Sequence, residues 1–271
     1  MKIWLKLYWL KYMNLLSQKS LLSANGPAVS LTTYGSRLNS VFLTLESISS
    51  GRLLPSKLIL WLDDDNTQPL PNAIKRLQKR GLVVLYRENL KPHSKYYHYL
   101  NFTDTFNAPL VTADDDILYP KNWLHDLHIA YQTNPALIYC YRARRVTFNG
   151  EKLASYALWS LHHHTDASYL NFATGVSGVI YPPNYLQFLK DAGKQFLGCC
   201  PLADDVWLHV NALRAGYKIK QLSNKPAHFT LIPGSQTLTL MQQNYFSDGN
   251  DVQIAKTYQA SDVAFMLKNM T

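Results

Sequence analysis

Pro109-Leu110-Val111-Thr112-Ala113-Asp114-Asp115-Asp116 is a short apolar run that ends in three aspartates. Such a run, bounded by polar residues, reads as a strand buried on both faces. The same form occurs upstream, where Lys57 to Leu62 (KLILWL) runs into Asp63-Asp64-Asp65. Ala28 to Thr32 (AVSLT) and Leu82 to Tyr86 (LVVLY) are two further apolar strands. Helical patterns separate them. Leu38, Val41, Phe42, Leu45 and Ile48 recur at helical spacing until Gly51. Pro71 opens a helix through Ile74 and Leu77 that Gly81 closes, and a mixed helix is expected over 94–106.

Strands alternating with helices predict an α/β fold around a mostly parallel, doubly wound central sheet with flanking helices. Ligands of such sheets bind outside the carboxyl ends of the strands. The turn Tyr34-Gly35-Ser36-Arg37 and both aspartate clusters fall at that edge. Downstream, a helix is expected over 121–133, a strand over 137–141, and a helix from Asp204 to Ala215 with Gly216 behind it. Gly175 to Pro183 reads as a loop entering a strand that two prolines stop. The tail from Pro233 is rich in Gln and Asn and yields no assignment. No repeat or linker divides the chain, so a single domain is expected over 28–254, preceded by a basic segment at 1–22 and followed by a tail at 255–271.

The chain has 271 residues, 47% hydrophobic and 17% charged, a balance that excludes a disordered protein. Its net charge of +9 favours anionic partners. Three cysteines, two of them adjacent, are too few for a disulfide framework and wrongly spaced for zinc, so a reducing, cytoplasmic compartment is expected. The first 22 residues carry Lys2, Lys6, Lys11 and Lys19 and no acid. These charges interrupt every apolar run, which excludes a membrane span, and no signal-peptide pattern is present. Trp4, Leu5, Tyr8 and Trp9 beside the lysines suit an amphipathic helix in the interface of an anionic membrane. The competing expectation is a helix packed on the domain.

Three consecutive aspartates are costly. At ~5 Å and an effective dielectric of ~20, each carboxylate pair repels by roughly 3 kcal/mol. A hard divalent cation, Mn²⁺ or Mg²⁺, relieves that cost and takes its other ligands from phosphates and water. A solvated acidic turn is the bland alternative. Asp204-Asp205 can cap the helix they open, or one of them can be the general base of a group transfer. Lys95 can meet a diphosphate or lie solvated on a helix face. His162, His163 and His164 are consecutive and cannot easily converge on one ion, so a surface loop is expected there.

Four segments in order resemble bacterial GT-A glycosyltransferases of capsule and lipopolysaccharide synthesis. They are Val29 to Arg37 (VSLTTYGSR), Val111 to Pro120 (VTADDDILYP), Gly175 to Pro183 (GVSGVIYPP) and Ala203 to Leu208 (ADDVWL). The resemblance spans roughly residues 28 to 254 and implies a GT-A, Rossmann-like fold. It implies a nucleotide-sugar donor, with UDP the usual nucleotide of the family and GDP a second option, and a glycan or glycolipid acceptor in bacterial surface polysaccharide synthesis. Thr33, Tyr34, Arg37, Asp63 or Asp64, Lys95, Asp114 and Asp115 would face the donor. Asp116 and Asp114 would hold the metal, with His228 as a further ligand. Gly175, Ser177, Gly178 and Trp207 would line the acceptor side. Asp205 would be the base of an inverting transfer. Asp204 stands where the family motif commonly has Glu, which leaves open which acid acts. The enzyme would work in the cytoplasm, peripheral on the inner membrane face.

Two other readings remain open at this level. One is a nucleotidyltransferase-like enzyme, although the turn after the first strand holds a single glycine and the chain has no GxxxxGK[ST] phosphate loop. The other is a non-catalytic polyanion-binding module, although such a module has no use for acid clusters at strand ends. No nucleic-acid partner is expected.

Overall fold

The computed structural model describes residues 2–66, 68–235 and 249–270. Much of the Gln/Asn-rich tail, 236–248, lies outside the described residues. In chain order the first half holds α1 (Lys2–Leu16), β1 (Ala28–Thr32), α2 (Val41–Ser49), β2 (Lys57–Asp63), α3 (Asn72–Gln78), β3 (Leu82–Arg87), α4 (Ser94–Leu100), β4 (Leu110–Thr112), β5 (Ile117–Leu118), α5 (Trp123–Thr133) and β6 (Leu137–Cys140). Short strands follow: β7 (Ala143–Arg145), β8 (Phe148–Asn149), β9 (Lys152–Leu153), β10 (Ala167–Ser168), β11 (Asn171–Ala173) and β12 (Val179–Tyr181). Then come α6 (Pro183–Ala192), α7 (Phe196–Cys199), α8 (Asp204–Arg214), β13 (Lys218–Gln221), β14 (Thr230–Leu231), α9 (Gly249–Thr257) and α10 (Ala260–Lys268).

The eight-stranded central sheet runs β10-β13-β6-β12-β4-β1-β2-β3. Strand alternation sends successive side chains to opposite faces. Val29, Leu31, Leu58, Leu60 and Val111 enter a core under α2, α3 and α5. Ala28, Ile59, Trp61 and Leu110 enter the opposite core, which Tyr96, Leu186 and Val210 of α4, α6 and α8 close. The expected α/β architecture is therefore present, a helix–sheet–helix sandwich.

The sheet is more mixed than the first four strands suggest. β1–β2, β1–β4, β2–β3 and β6–β13 are parallel, whereas β12 runs antiparallel to both β4 and β6, and β10 antiparallel to β13. This reversal positions the glycine loop. Val179 pairs with Thr112, so the amino end of β12 lies beside the carboxyl end of β4. Pro182 and Pro183 stop the strand and also start α6, because proline suits the first helical position; the sequence reading had no helix there. The mixed helix expected to reach 106 ends at Leu100.

Both terminal segments belong to the folded body. The expected boundary at 254/255 falls inside α9, and Ile254, Tyr258 and Met266 are buried in the core beside α8. At the other end, Leu7 and Leu10 of α1 pack on Leu43, Leu118 and Ile232. Asn14 donates to Glu46 at 3.1 Å, and Arg80 pairs with the same carboxylate at 2.5 Å. Lys6 donates to the carbonyls of Leu118 and Tyr119, at 3.3 and 3.1 Å. Among the described residues no helix is long and apolar enough to cross a membrane.

Candidate active site

α4 and α8 each carry the chain back from the carboxyl edge of the sheet. Their first turns therefore stand at that edge, beside the aspartates that follow β4. Lys95, in the first turn of α4, is buried, and its Nζ lies 3.1 Å from Asp114 Oδ1 and 3.1 Å from Asp204 Oδ2. The backbone beneath it is fixed by Ser30, which donates to the Lys95 carbonyl at 2.5 Å and accepts from Trp61 Nε1 at 2.7 Å. Burial opposes the Lys95 charge, but Asp114, Asp204 and Asp205 together hold the ammonium well above its ordinary pKa. The side chain is thus neither solvated nor open, but bridges two acid clusters 90 positions apart.

The second acid of the α8 pair accepts a hydrogen bond from the Gly175 amide, Asp205 Oδ1 at 3.0 Å. A methyl group on Gly175 would stand 3.1 Å from that oxygen and 3.4 Å from Lys95 Nζ. Burial and the neighbouring Asp204 charge raise the Asp205 pKa, while Lys95 and the Gly175 amide pull it back. Gly178 ends the same loop at φ +99°, where a Cβ would meet Trp123 Nε1 at 2.5 Å. Ser177 donates to the Ala227 carbonyl at 2.7 Å.

The aspartate triplet divides three ways. Asp114 is the most open, its side chain 26% exposed, with Lys95 as partner and its own amide donating to Tyr119 Oη at 2.9 Å. Asp115 points inward. It accepts from Thr33 Oγ1 at 2.6 Å and Arg37 Nη1 at 2.9 Å, and its carbonyl accepts from Thr44. Burial raises its pKa, against the pull of Arg37 and Thr33. Asp116 lies 3.3 Å from the same guanidinium, and its carbonyl accepts from the Ile232 amide at 2.7 Å. Burial, then the charges of Asp114 and Asp115, push its pKa to about 6. Arg37 also donates to the Ser235 carbonyl at 3.1 Å, so the described end of the 230s closes over the triplet.

A hard divalent cation suits this donor set. Asp114 and Asp116 are neighbouring oxygen donors, and burial first, then the charges of Asp114 and Asp115, raise the Asp116 pKa against the pull of Arg37. Nucleotide-bound Mg²⁺ or Mn²⁺ needs only one or two carboxylates beside phosphate and water. Among the described residues no three His, Cys, Asp or Glu side chains form a group that could hold a metal. His228, expected as a further ligand, is exposed two residues before β14 and joins no such group.

Beyond the triplet, Thr33, Tyr34, Gly35, Leu38, Leu62, Asp63, Asp65 and Asn66 line a small cleft of about 110 Å³ open to solvent. Tyr34 is 44% exposed and lies under the Arg37 guanidinium at 5.4 Å. Asp63 accepts from Asn89 at 2.7 Å, and burial followed by the Asp65 charge raises its pKa. Asp64 is exposed, and its amide donates to the Arg87 carbonyl. Trp207, expected on the acceptor side, is buried in the core edge-on to Phe196 at 6.1 Å. Two residues past Asp205, it lies about 200° around α8 from that acid and so looks inward, away from the glycine loop that Asp205 meets. His162 is buried and its neighbours His163 and His164 are exposed.

Sequence reasoning missed Ser30, Thr44 and Tyr119, which hold the site residues from behind. Ser30 did leave a signal, a hydroxyl inside the apolar run AVSLT. Thr44 and Tyr119 left none.

No protein-family model and no curated protein matches this chain. Among solved structures it is similar to CMP:2-keto-3-deoxy-manno-octonic acid synthetase complexed with CTP, at 11% identity and a TM-score of 0.47, over 82% of this chain and 98% of that one. A likeness that distant carries no argument about reaction or residues.

Proposed function

We propose that the chain is a nucleotide-dependent group-transfer enzyme and, more narrowly, a glycosyltransferase that moves a sugar from a nucleoside diphosphate to an acceptor hydroxyl. The observation that supports the reading is the Lys95 bridge from Asp114 to Asp204, which brings the neighbouring half-buried Asp205, the proposed base, close to the aspartate triplet, the proposed seat of a cation-bound diphosphate. A separate base and a separate phosphate site are what glycosyl transfer requires. The four family-like segments supply the choice of sugar transfer, and the inner face of the cytoplasmic membrane is the proposed place of work.

In this mechanism the cleft beside Tyr34 and Asp63 takes the nucleotide base, the ring by stacking and the carboxylate by accepting a hydrogen bond. Asp114 and Asp116 would hold Mn²⁺ or Mg²⁺, which offsets charge on the leaving diphosphate. Asp205 takes the proton of an acceptor hydroxyl. The hydroxyl oxygen bonds to the anomeric carbon as the bond to the diphosphate oxygen breaks, and the electron pair departs with the nucleoside diphosphate. One displacement from the opposite face inverts the centre. The acceptor, a glycan or glycolipid of a bacterial cell surface, enters along Gly175 and Ser177.

The second reading is nucleotidyl transfer. Lys95 and Arg37 flank the triplet as two cations and would suit a triphosphate equally well. The products decide. The purified chain is incubated with UDP- and GDP-sugars, or with nucleoside triphosphates and sugars, in Mn²⁺ with and without chelator. Chelator-sensitive release of nucleoside diphosphate with a glycosylated product is expected. Pyrophosphate release would establish the second reading instead. No turnover with either, alongside tight polyanion binding, would reject both.

A further inference from the structure

We infer that the outer face of α1 seats this domain on an anionic lipid bilayer. The inference adds to the transfer reading but rests on α1 alone. At 100° per residue, Trp4, Leu5, Tyr8, Trp9, Tyr12 and Leu16 fall within an arc of roughly 140°. These side chains are exposed, Trp4 at 57%, Leu5 at 64% and Tyr8 at 68%. The opposite side of the same helix carries Leu7, Leu10 and Asn14, all buried on the domain. α1 is therefore apolar on both sides and covered on one. A surface helix needs polar residues where it meets water, and this one has aromatic and aliphatic residues there.

Charge selects the occupant. No acid precedes Glu46 in the chain, and Glu46 is buried against Arg80. Lys11 is exposed at the edge of the apolar arc, its Nζ 5.9 Å from the centre of the Tyr8 ring. A second copy of this face would set Lys11 against Lys11 with no carboxylate on either arc. Anionic headgroups oppose Lys11 favourably, while Trp and Tyr occupy the boundary between headgroups and acyl chains. The seat is joined to the site through Lys6, whose ammonium holds the carbonyls of Leu118 and Tyr119 just past the triplet. The helix that would rest on lipid thus also braces the strand after Asp116.

The test uses the full chain, without substrate, and vesicles of phosphatidylcholine alone or in equal parts with phosphatidylglycerol. Flotation measures partition, and brominated lipid reports depth through tryptophan quenching. Trp61, Trp123, Trp159 and Trp207 are buried, so quenching reads Trp4 and Trp9. Partition onto the anionic vesicles is expected to exceed that onto neutral ones by about tenfold, with quenching. The double variant Trp4→Ser/Trp9→Ser should lose about tenfold or more in partition with an unchanged melting temperature, since both side chains are exposed. Lys11→Glu should weaken binding to the anionic vesicles alone. No partition, or equal partition onto both vesicles, overturns the inference. So does concentration-dependent dimerisation that the double variant abolishes in a chain that ignores vesicles.

Discussion

The Gly175 amide and the Asp205 carboxylate meet at 3.0 Å, and no side chain larger than hydrogen fits at position 175 without crowding that oxygen. The contact ties the glycine loop before β12 to the first turn of α8. It also leaves Asp205 in a setting where burial and Asp204 disfavour its charge. A base acts only when ionised, so activity should rise with pH through a pKa above the usual carboxylate range. The kcat/KM profile with a saturating acceptor checks this. An acid limb at the ordinary aspartate position would mean that another group is the base.

Substitutions should separate the two acid clusters. Asp205→Asn is expected to lower kcat by about 10³-fold while donor affinity changes little, because only proton removal is lost. Asp116→Ala should instead weaken Mn²⁺-dependent donor binding by about tenfold or more. Calorimetric titration of donor beside steady-state rates gives both quantities. Equal losses of folding in both variants would mark the acids as structural.

Lys95 is a third kind of residue, one that holds other site groups. Removing the ammonium leaves Asp114 and Asp204 facing each other in a largely buried setting. Lys95→Met is therefore expected to cost about 3 kcal/mol. Adding Asp204→Asn removes one of the stranded charges and should recover part of that loss. Urea unfolding of the two single variants and the double gives the coupling energy. Additive effects would show that the 3.1 Å contact contributes nothing to stability.

The sheet was legible because AVSLT and KLILWL are apolar runs buried on both faces, LVVLY is an apolar run on the half-buried edge strand, and burial leaves a mark on composition. The edge position of the aspartates followed from the alternation of strands and helices alone. What escaped was direction and orientation. Nothing in VIYPP says that β12 enters the sheet antiparallel, yet that reversal brings Gly175 to Asp205. In DDD, three identical residues have three environments, set by Thr33 and Arg37 on one side and Lys95 on the other. Those partners lie 19 to 82 positions away, beyond any local pattern. α1 shows the same limit, because its apolar residues point both to the domain and to solvent, and only the fold says which do which.

His209 carries a last, independent expectation about pH. It is buried on α8, with Nε2 donating to the Tyr169 carbonyl at 3.0 Å and Nδ1 accepting from Tyr258 Oη at 2.6 Å. Both ring nitrogens are used by the neutral form, and burial lowers the pKa from 6.5 to about 4. As pH falls below 6.5 the unfolded chain takes up a proton that the folded imidazole refuses until about 4. The stabilisation is therefore complete above pH 6.5 and is lost progressively down to about pH 4. At pH 5 the loss from this one group is about 2 kcal/mol. His209→Gln cannot titrate, so its unfolding free energy should fall less than the wild-type value between pH 7 and pH 5, by about that amount. Urea unfolding at the two pH values measures it, and parallel losses in both proteins would show that His209 is not a source of acid lability.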